Sequence, residues 1–423
     1  MVTTNLNLRT PYVSSWTLSI QRAITNNVVL EAAYVGNHGT KFMSHVDLNQ
    51  TDPAGNFWGR PSGGAGSPSY AQACIDAPST DACDGSELQG DIFDARPYNS
   101  KFSYLATITQ LGNAHWSNYN GLQLSLTARN FHGLSAVSGY TWSKSLDVAS
   151  GNGSDVGTDS YNLALDYGRA SSDVRHRLTF APTYTFPSVM GYGGLLEGWR
   201  VNANVKYQTG RGYSAGNEVD SAGNGRGDSQ RWDLSGDPGD FKFNRDRVDV
   251  AIFHPADGDL GSENPQFGIP GQGATYAASD LAPATALCTA GSGPGKLATL
   301  EAFGCWTQGT AALTPPGPGN FGNMGRGRLS GPGFFGMDMS LSKRHQITER
   351  LTAEFRAEFF NILNKPAFAQ PQISQPGDSL GCESDCLTAG FGRVTETPDS
   401  AATNPVLGTG GPRRVQLGVK LIF

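Results

Sequence analysis

The sequence predicts an all-β fold, an antiparallel transmembrane β-barrel, on three observations. About nine segments alternate apolar and polar residues with a period of two. Short turns and long Gly-rich connections join them in turn. The last segment, "RRVQLGVKLIF", keeps its alternation to the final residue, where chain ends ordinarily fray.

The totals narrow the class. The 423 residues include 55 Gly and 10% aromatics but only 16% charged residues, with a mean hydropathy of -0.34. A net charge of -6 leaves no basic footprint, so nucleic acid is not an expected partner. No apolar run approaches the roughly 18 residues of a membrane-spanning helix. A β-barrel stays open, because each strand hides its apolar residues among polar ones. "MVTTNLNLRTP" lacks the positive start and apolar middle of a secretory signal, which leaves either a cytosolic protein or a Met1 that is not the natural start.

In chain order, "VSSWTLSIQRAI" sets Trp16, Leu18 and Ile20 against Ser15, Thr17, Ser19 and Gln21. After "TNN", "VVLEAAYVG" sets Val28, Leu30, Ala32 and Tyr34 on one face, which makes a hairpin. A Gly/Pro/Ser-rich loop, about 43–113, follows, with a short strand expected near "FSYLATITQ". "NYNGLQLSLTARN" and "LSAVSGYTWSKSLD" form a second hairpin around "FHG", with Leu122, Leu124 and Leu126 facing one way and Tyr140 and Trp142 on the matching face. Beyond a loop at about 148–173, "RHRLTFAPTYTFP" and "GWRVNANVKYQTG" give two more strands around "SVMGYGGLLE". The second opposes Trp199, Val201, Val205 and Tyr207 to Arg200, Asn202, Asn204 and Lys206. The longest loop, about 211–332, leads to "FFGMDMSLSKR", the turn "HQITER" and "LTAEFRAEFF". Helix is the rival for that last stretch, since Ala, Glu and Arg favour it. Its alternation of Leu351, Ala353, Phe355, Ala357 and Phe359 with polar residues argues for a strand. A loop at about 365–411 precedes the closing strand.

Ten residues at about 3.3 Å each, tilted near 45°, rise about 25 Å, the height of an outer-membrane apolar band. A soluble sandwich buries its apolar faces in a core instead, and it has no reason to gather its short connections at one end. An outer-membrane barrel does so, with short periplasmic turns and long external loops.

Several stretches resemble a known family. "TPYVSSWTLSIQRAITNNVVLEAAYVGNHGT", "NYNGLQLSLTARNFHGLSAVSGYTWSKSLD", "DVRHRLTF", "AEFFNILNKPAF" and "FGRVT" look like the C-terminal barrel of TonB-dependent outer-membrane receptors. The nearest branch is the Oar-like one, whose members carry a carboxypeptidase regulatory-like domain before the plug. The resemblance implies energy-coupled uptake of a scarce ligand, with the TonB complex, outer-membrane lipid and the barrel-assembly machinery as partners. It also implies that Gln416, Gly418, Leu421 and Phe423 form a barrel-assembly signal. Family members have a signal peptide, a plug and about 22 strands. Met1 is therefore expected to mark a truncated or misassigned start, with the first barrel strands missing. A passive porin-like barrel is the alternative function.

Candidate site residues are those on the polar faces, where charge tunes passage through a lumen. They are Arg129, Arg200, Lys206, Glu354, Arg356, Glu358, Arg414 and Lys420; the alternative role of each is to solvate the lumen or touch a plug. No catalytic constellation is present in the sequence, and neither a cofactor nor a metal is expected. Asp173, Arg175 and His176 come nearest to an enzyme's cluster, but they read as the end of a strand at the external interface. "NGRGDS", with Arg226 and Asp228, matches an adhesion tripeptide and makes a surface adhesin the third reading. The acidic loops "DVASGNGSDVGTDS" and "DSAGNGRGDSQRWDLSGDPGD" lack EF-hand spacing and read as solvated. The six cysteines fall into local pairs, Cys74 with Cys83, Cys288 with Cys305 and Cys382 with Cys386, each in a different loop. In an oxidising compartment that arrangement favours three disulfides.

Overall fold

A computed structural model describes residues 1–52, 57–63, 66–83, 85, 89–150, 157–187, 197–216, 220–226, 230–241, 251–253, 278–303, 305–369, 397 and 411–423. Nine long strands run in chain order: β1 (Tyr12–Thr25), β2 (Val28–Asp47), β3 (Thr109–Phe131), β4 (Leu134–Asp147), β5 (His176–Thr185), β6 (Trp199–Gln208), β7 (Phe334–Gln346), β8 (Thr352–Phe360) and β9 (Arg414–Ile422). Each pairs antiparallel with the next, so one sheet carries them in sequence order from β1 to β9. The stretch weighed as a helix is β8, a strand. Among the described residues no ladder joins β1 to β9, and the sheet is open at both edges.

The register sorts the residues into two faces. Tyr184, Val201, Leu341, Ala357 and Leu417 stand opposite one another across five strands, as do Leu18, Tyr34, Leu122 and Trp142 across four. This apolar face is uncovered; Leu417 is 77% exposed and Ile20 68%. In water so large an apolar surface would drive association, and in a membrane it is the surface that meets lipid. One residue along, Thr183, Asn202, Ser340, Glu358 and Gln416 line up on the other face. Pro182 marks a local fault: pairing to β6 runs from Arg177 to Phe180 and resumes at Thr183, because proline brings no N–H to the ladder.

The β3–β4 turn needs left-handed backbone at Asn130, His132 and Gly133. A Cβ on Gly133, at φ 85°, would lie 2.7 Å from the Thr185 carbonyl oxygen, so only glycine fits. The β1–β2 and β7–β8 turns are also short, whereas the turn expected at "SVMGYGGLLE" lies mostly outside the described residues.

Three expectations need correction. β2 and β3 are 20 and 23 residues long, about twice what a membrane band requires. The short strand near "FSYLATITQ" is only the start of β3 at Thr109. The connections at 43–113 and 211–332 are also more than loops. They hold helices α1 (Tyr70–Asp76), α2 (Thr80–Cys83), α3 (Gln89–Asp94), α4 (Ala278–Thr289) and α5 (Pro294–Phe303). A small sheet adds the strands Asp233–Ser235, Ala311–Thr314, Cys305–Gln308 and Ala251–Phe253 in that order. α5 packs on α1 and α2, so the first long connection docks on the third.

The hydrophobic core therefore sits outside the barrel sheet. Phe57, Trp58, Tyr70, Ile92, Trp232 and Phe303 are buried together, with Phe57 stacked on Tyr70 at 4.7 Å. Disulfides Cys74–Cys83 and Cys288–Cys305 close within this cap, with Cα atoms 4.9 Å and 6.1 Å apart. Cys382 and Cys386 lie outside the described residues.

Candidate functional site

The polar face gains its order from cross-strand neighbours. On β8, Glu354 stands opposite Arg344 of β7 and Lys420 of β9, and it shares its face with Arg356 and Glu358. Its carboxylate accepts from Arg344 Nε at 2.7 Å and from an Arg356 guanidinium nitrogen at 2.9 Å; Arg356 also lies 3.5 Å from Glu358. The Thr183 hydroxyl donates to Asn202 at 2.8 Å, and the Asn202 amide donates to Ser340 at 3.0 Å. Arg200 stands opposite Ser342, which itself faces Arg356. The structure thus brings Arg200, Glu354, Arg356, Glu358 and Lys420 into one charged field. Lys206, opposite Gly336 and Thr179, lies further along the same face, and Arg414 stands at its end opposite Phe360. Arg129, beside the β3–β4 turn, is remote from all of them; its backbone N–H donates to Asn27.

Of the expected assembly residues, Gln416 and Gly418 share the polar face opposite Glu358 and Arg356, and Leu421 stands opposite Ala353. Phe423 lies one residue past the end of β9 and is 91% exposed.

The polar face of β3 to β5 lines a cavity of about 310 Å³ with Tyr119, Gln123, Thr141, Ser143 and Arg177. Asp173 closes its rim. That residue is buried and accepts from Arg169 Nε at 2.8 Å, Arg175 Nε at 2.9 Å and the Ser145 backbone at 2.6 Å. Such a carboxylate is already saturated and ties the loop to β4, which agrees with a strand-end role and not an enzyme's cluster. A second cavity, of about 550 Å³, lies between Phe42, Met43, His115 and Asp147.

Part of the second acidic loop, read as solvated, is buried instead, at Asp220, Ser221, Asn224 and Gln230. Asp220 accepts from the backbone of Asn224 and Gly225 and from the Gln230 amide at 2.6 Å, and it is wholly inaccessible. Among the described residues no acidic or histidine cluster has the arrangement of a metal site. Arg226 is half-buried, while Asp228 of the "RGD" tripeptide lies outside the described residues.

Sequence reasoning missed two arginines that hold the cap. Arg231 donates to Asp166 at 2.6 Å, to the Leu165 carbonyl at 2.8 Å and to the Met324 carbonyl at 2.9 Å, joining the second long loop to the third. Arg96 pairs with Asp47 at 3.3 Å, both side chains almost fully buried, and donates to the Ala106 carbonyl at 2.6 Å. Burial pulls Arg96 below the usual guanidinium range, against the pull of Asp47. Nothing in the local sequence marks either residue, because the carboxylates they pair with lie 49 and 65 positions away.

The arrangement offers hydrogen-bonding and charged groups along one face of the sheet. Solved structures resemble the chain at low identity. The outer membrane transporter YddB of Escherichia coli is 10% identical, with a TM-score of 0.38 over 98% of this chain and 33% of its own. The siderophore receptor PiuA of Acinetobacter baumannii is 9% identical, TM-score 0.36, over 97% and 28%. The ferripyoverdine receptor of Pseudomonas aeruginosa is 10% identical, TM-score 0.35, over 97% and 27%. The chain spans about a third or less of these proteins' length. No curated protein matches it. The family model described as "Outer membrane beta barrel domain" matches residues 1–416. With almost every residue inside that match, and with an apolar outer and a polar inner face, the chain belongs to the outer membrane beta barrel domain family and resides in the outer membrane.

Proposed function

We propose that the chain is the C-terminal barrel portion of a TonB-dependent receptor of the Oar-like branch, which imports a scarce ligand with energy from the TonB complex. The observation that carries this is the cap. A passive pore works with an open mouth, whereas here two long connections fold over one end of the sheet around a shared core. A folded, disulfide-closed cap is suited to selecting a ligand before it reaches the charged inner wall of Arg200, Glu354, Arg356, Glu358 and Lys420. Lys206, Arg129 and Arg414 would line more distant stretches of that wall.

Protein extracted from its own outer membrane should bind the periplasmic domain of TonB and hold planar bilayers closed to ions. Steady conductance without TonB binding would favour the passive porin and sink the receptor.

A further inference from the structure

We propose that the outward face of the sheet carries, at its external rim, a groove for the phosphate groups of the outer leaflet's phosphorylated glycolipid. The groove has a volume of about 540 Å³ and runs between β4 and two loop segments at 168–176 and 325–328. Its floor is aromatic: Trp142 and His176 lie parallel, ring centroids 6.5 Å apart, and the Tyr140 hydroxyl is 2.8 Å from His176 Nδ1. Trp142 stands opposite Leu122 in the apolar row, so this floor belongs to the lipid-facing side. It lies about nine residues from the β3–β4 turn, a tilted rise of about 21 Å, at the outer edge of an apolar band about 25 Å tall. Aromatic rings are favoured at that depth.

Above the floor the polarity changes at once. Lys144, Arg169, Arg175, Arg326 and Arg328 all line the groove, and no carboxylate among the described residues does. The carboxylates that pair with three of these arginines sit behind it: Asp173 holds Arg169 and Arg175, and Asp147 holds Arg326. Both line cavities on the other side of the strands. Five cations against two carboxylates leave a formal charge of +3. Lys144 and Arg328 are exposed and have no partner among the described residues. Like charges gathered in one place repel, and an anion relieves the repulsion; guanidinium forks bind phosphate bidentately. Basic pockets at membrane height take lipid headgroups by this chemistry. A soluble phosphate ester would gain nothing from the apolar rows below the groove, whereas the acyl chains of a bound glycolipid would lie along Tyr34, Leu122 and Leu124.

The test uses the whole chain taken from outer membranes in mild detergent. Native mass spectrometry counts bound glycolipid, and a titration compares short-chain lipopolysaccharide, the same lipid after phosphatase treatment, and inorganic phosphate. Wild type should retain the phosphorylated lipid and lose it as salt is raised. The pair Lys144→Gln and Arg328→Gln should weaken binding roughly ten- to thirtyfold with heat-modifiable mobility unchanged. Lys144→Gln alone, on an exposed strand position, gives the same direction should the pair fold poorly. Equal retention by wild type and variants, equal binding of the phosphatase-treated lipid, or inorganic phosphate competing as well as the lipid would each overturn the proposal.

Discussion

At the scale of single residues, the cap depends on charges taken out of water. Asp47 ends β2 and accepts from the Asn49 and Ile108 backbones at 2.9 and 3.0 Å as well as from Arg96. Removing one partner of a buried pair strands the other, so Asp47→Ala should destabilise the cap by about 3–5 kcal/mol. The joint change of Asp47→Leu with Arg96→Met should cost less than the two single changes summed. A double-mutant cycle by denaturant titration checks this, and strict additivity would show that the pair is not coupled. His115 gives a pH dependence. It lies about 18 residues along β3 from the Gly133 turn, a tilted rise of about 40 Å, which is beyond the membrane band. Burial pushes its imidazole below the usual range, opposed by a hydrogen bond to the Met43 backbone. The unfolded chain, titrating near about 6.5, then takes up the proton first as pH falls. The stability held above that pH is lost as pH drops below it. Cap melting followed by tryptophan fluorescence at pH 7.5 and 5.0 should show a larger drop for wild type than for His115→Gln, and equal drops would remove His115 from the account.

At the scale of elements, the nine strands could be read from sequence because each lies between two solvents. Lipid on one side and water on the other write a period of two, as in Leu417 and Val419 against Gln416 and Lys420. That rule also settles β8, where propensity alone favours a helix. The cap could not be read. Trp232, Phe57 and Phe303 are buried by partners far away in sequence, and such burial leaves no period. Strand alternation put Arg200, Glu354, Arg356, Glu358 and Lys420 on one polar face, as the register does, whereas Arg96 and Arg231 were invisible for want of a local pattern. The two disulfides among the described residues belong to the cap, and each restricts its unfolded loop by about 3 kcal/mol. Reduction should therefore open the buried Tyr70 of α1 and Phe303 of α5 to chymotrypsin while the sheet keeps its heat-modifiable mobility. Simultaneous loss of both would mean that cap and sheet unfold as one unit.

At the scale of the whole molecule, β1 and β9 each present an edge that is unpaired among the described residues. In lipid every unsatisfied backbone group costs several kcal/mol, and on the proposed receptor reading these edges meet further strands. The chain inserted alone in planar bilayers should give no stable, ligand-gated pore, and observing one would show that the sheet closes on itself. The C-terminal Phe423 belongs to the same question of assembly. Its replacement in Phe423→Ala should lower the yield of folded protein in the outer membrane, and unchanged yield would reduce it to an ordinary exposed residue. The central claim is that the cap stands outside the cell and the short turns stand in the periplasm. With cysteines 74, 83, 288 and 305 closed in disulfides and Cys382 and Cys386 replaced by serine, a single added thiol reports its own side. Tyr104→Cys places it in the first long connection and Glu349→Cys in the β7–β8 turn, both at exposed positions. A membrane-impermeant maleimide on intact cells should label Tyr104→Cys at once and Glu349→Cys only after the outer membrane is breached; labelling of Glu349→Cys with protection of Tyr104→Cys would contradict the orientation on which the whole account rests.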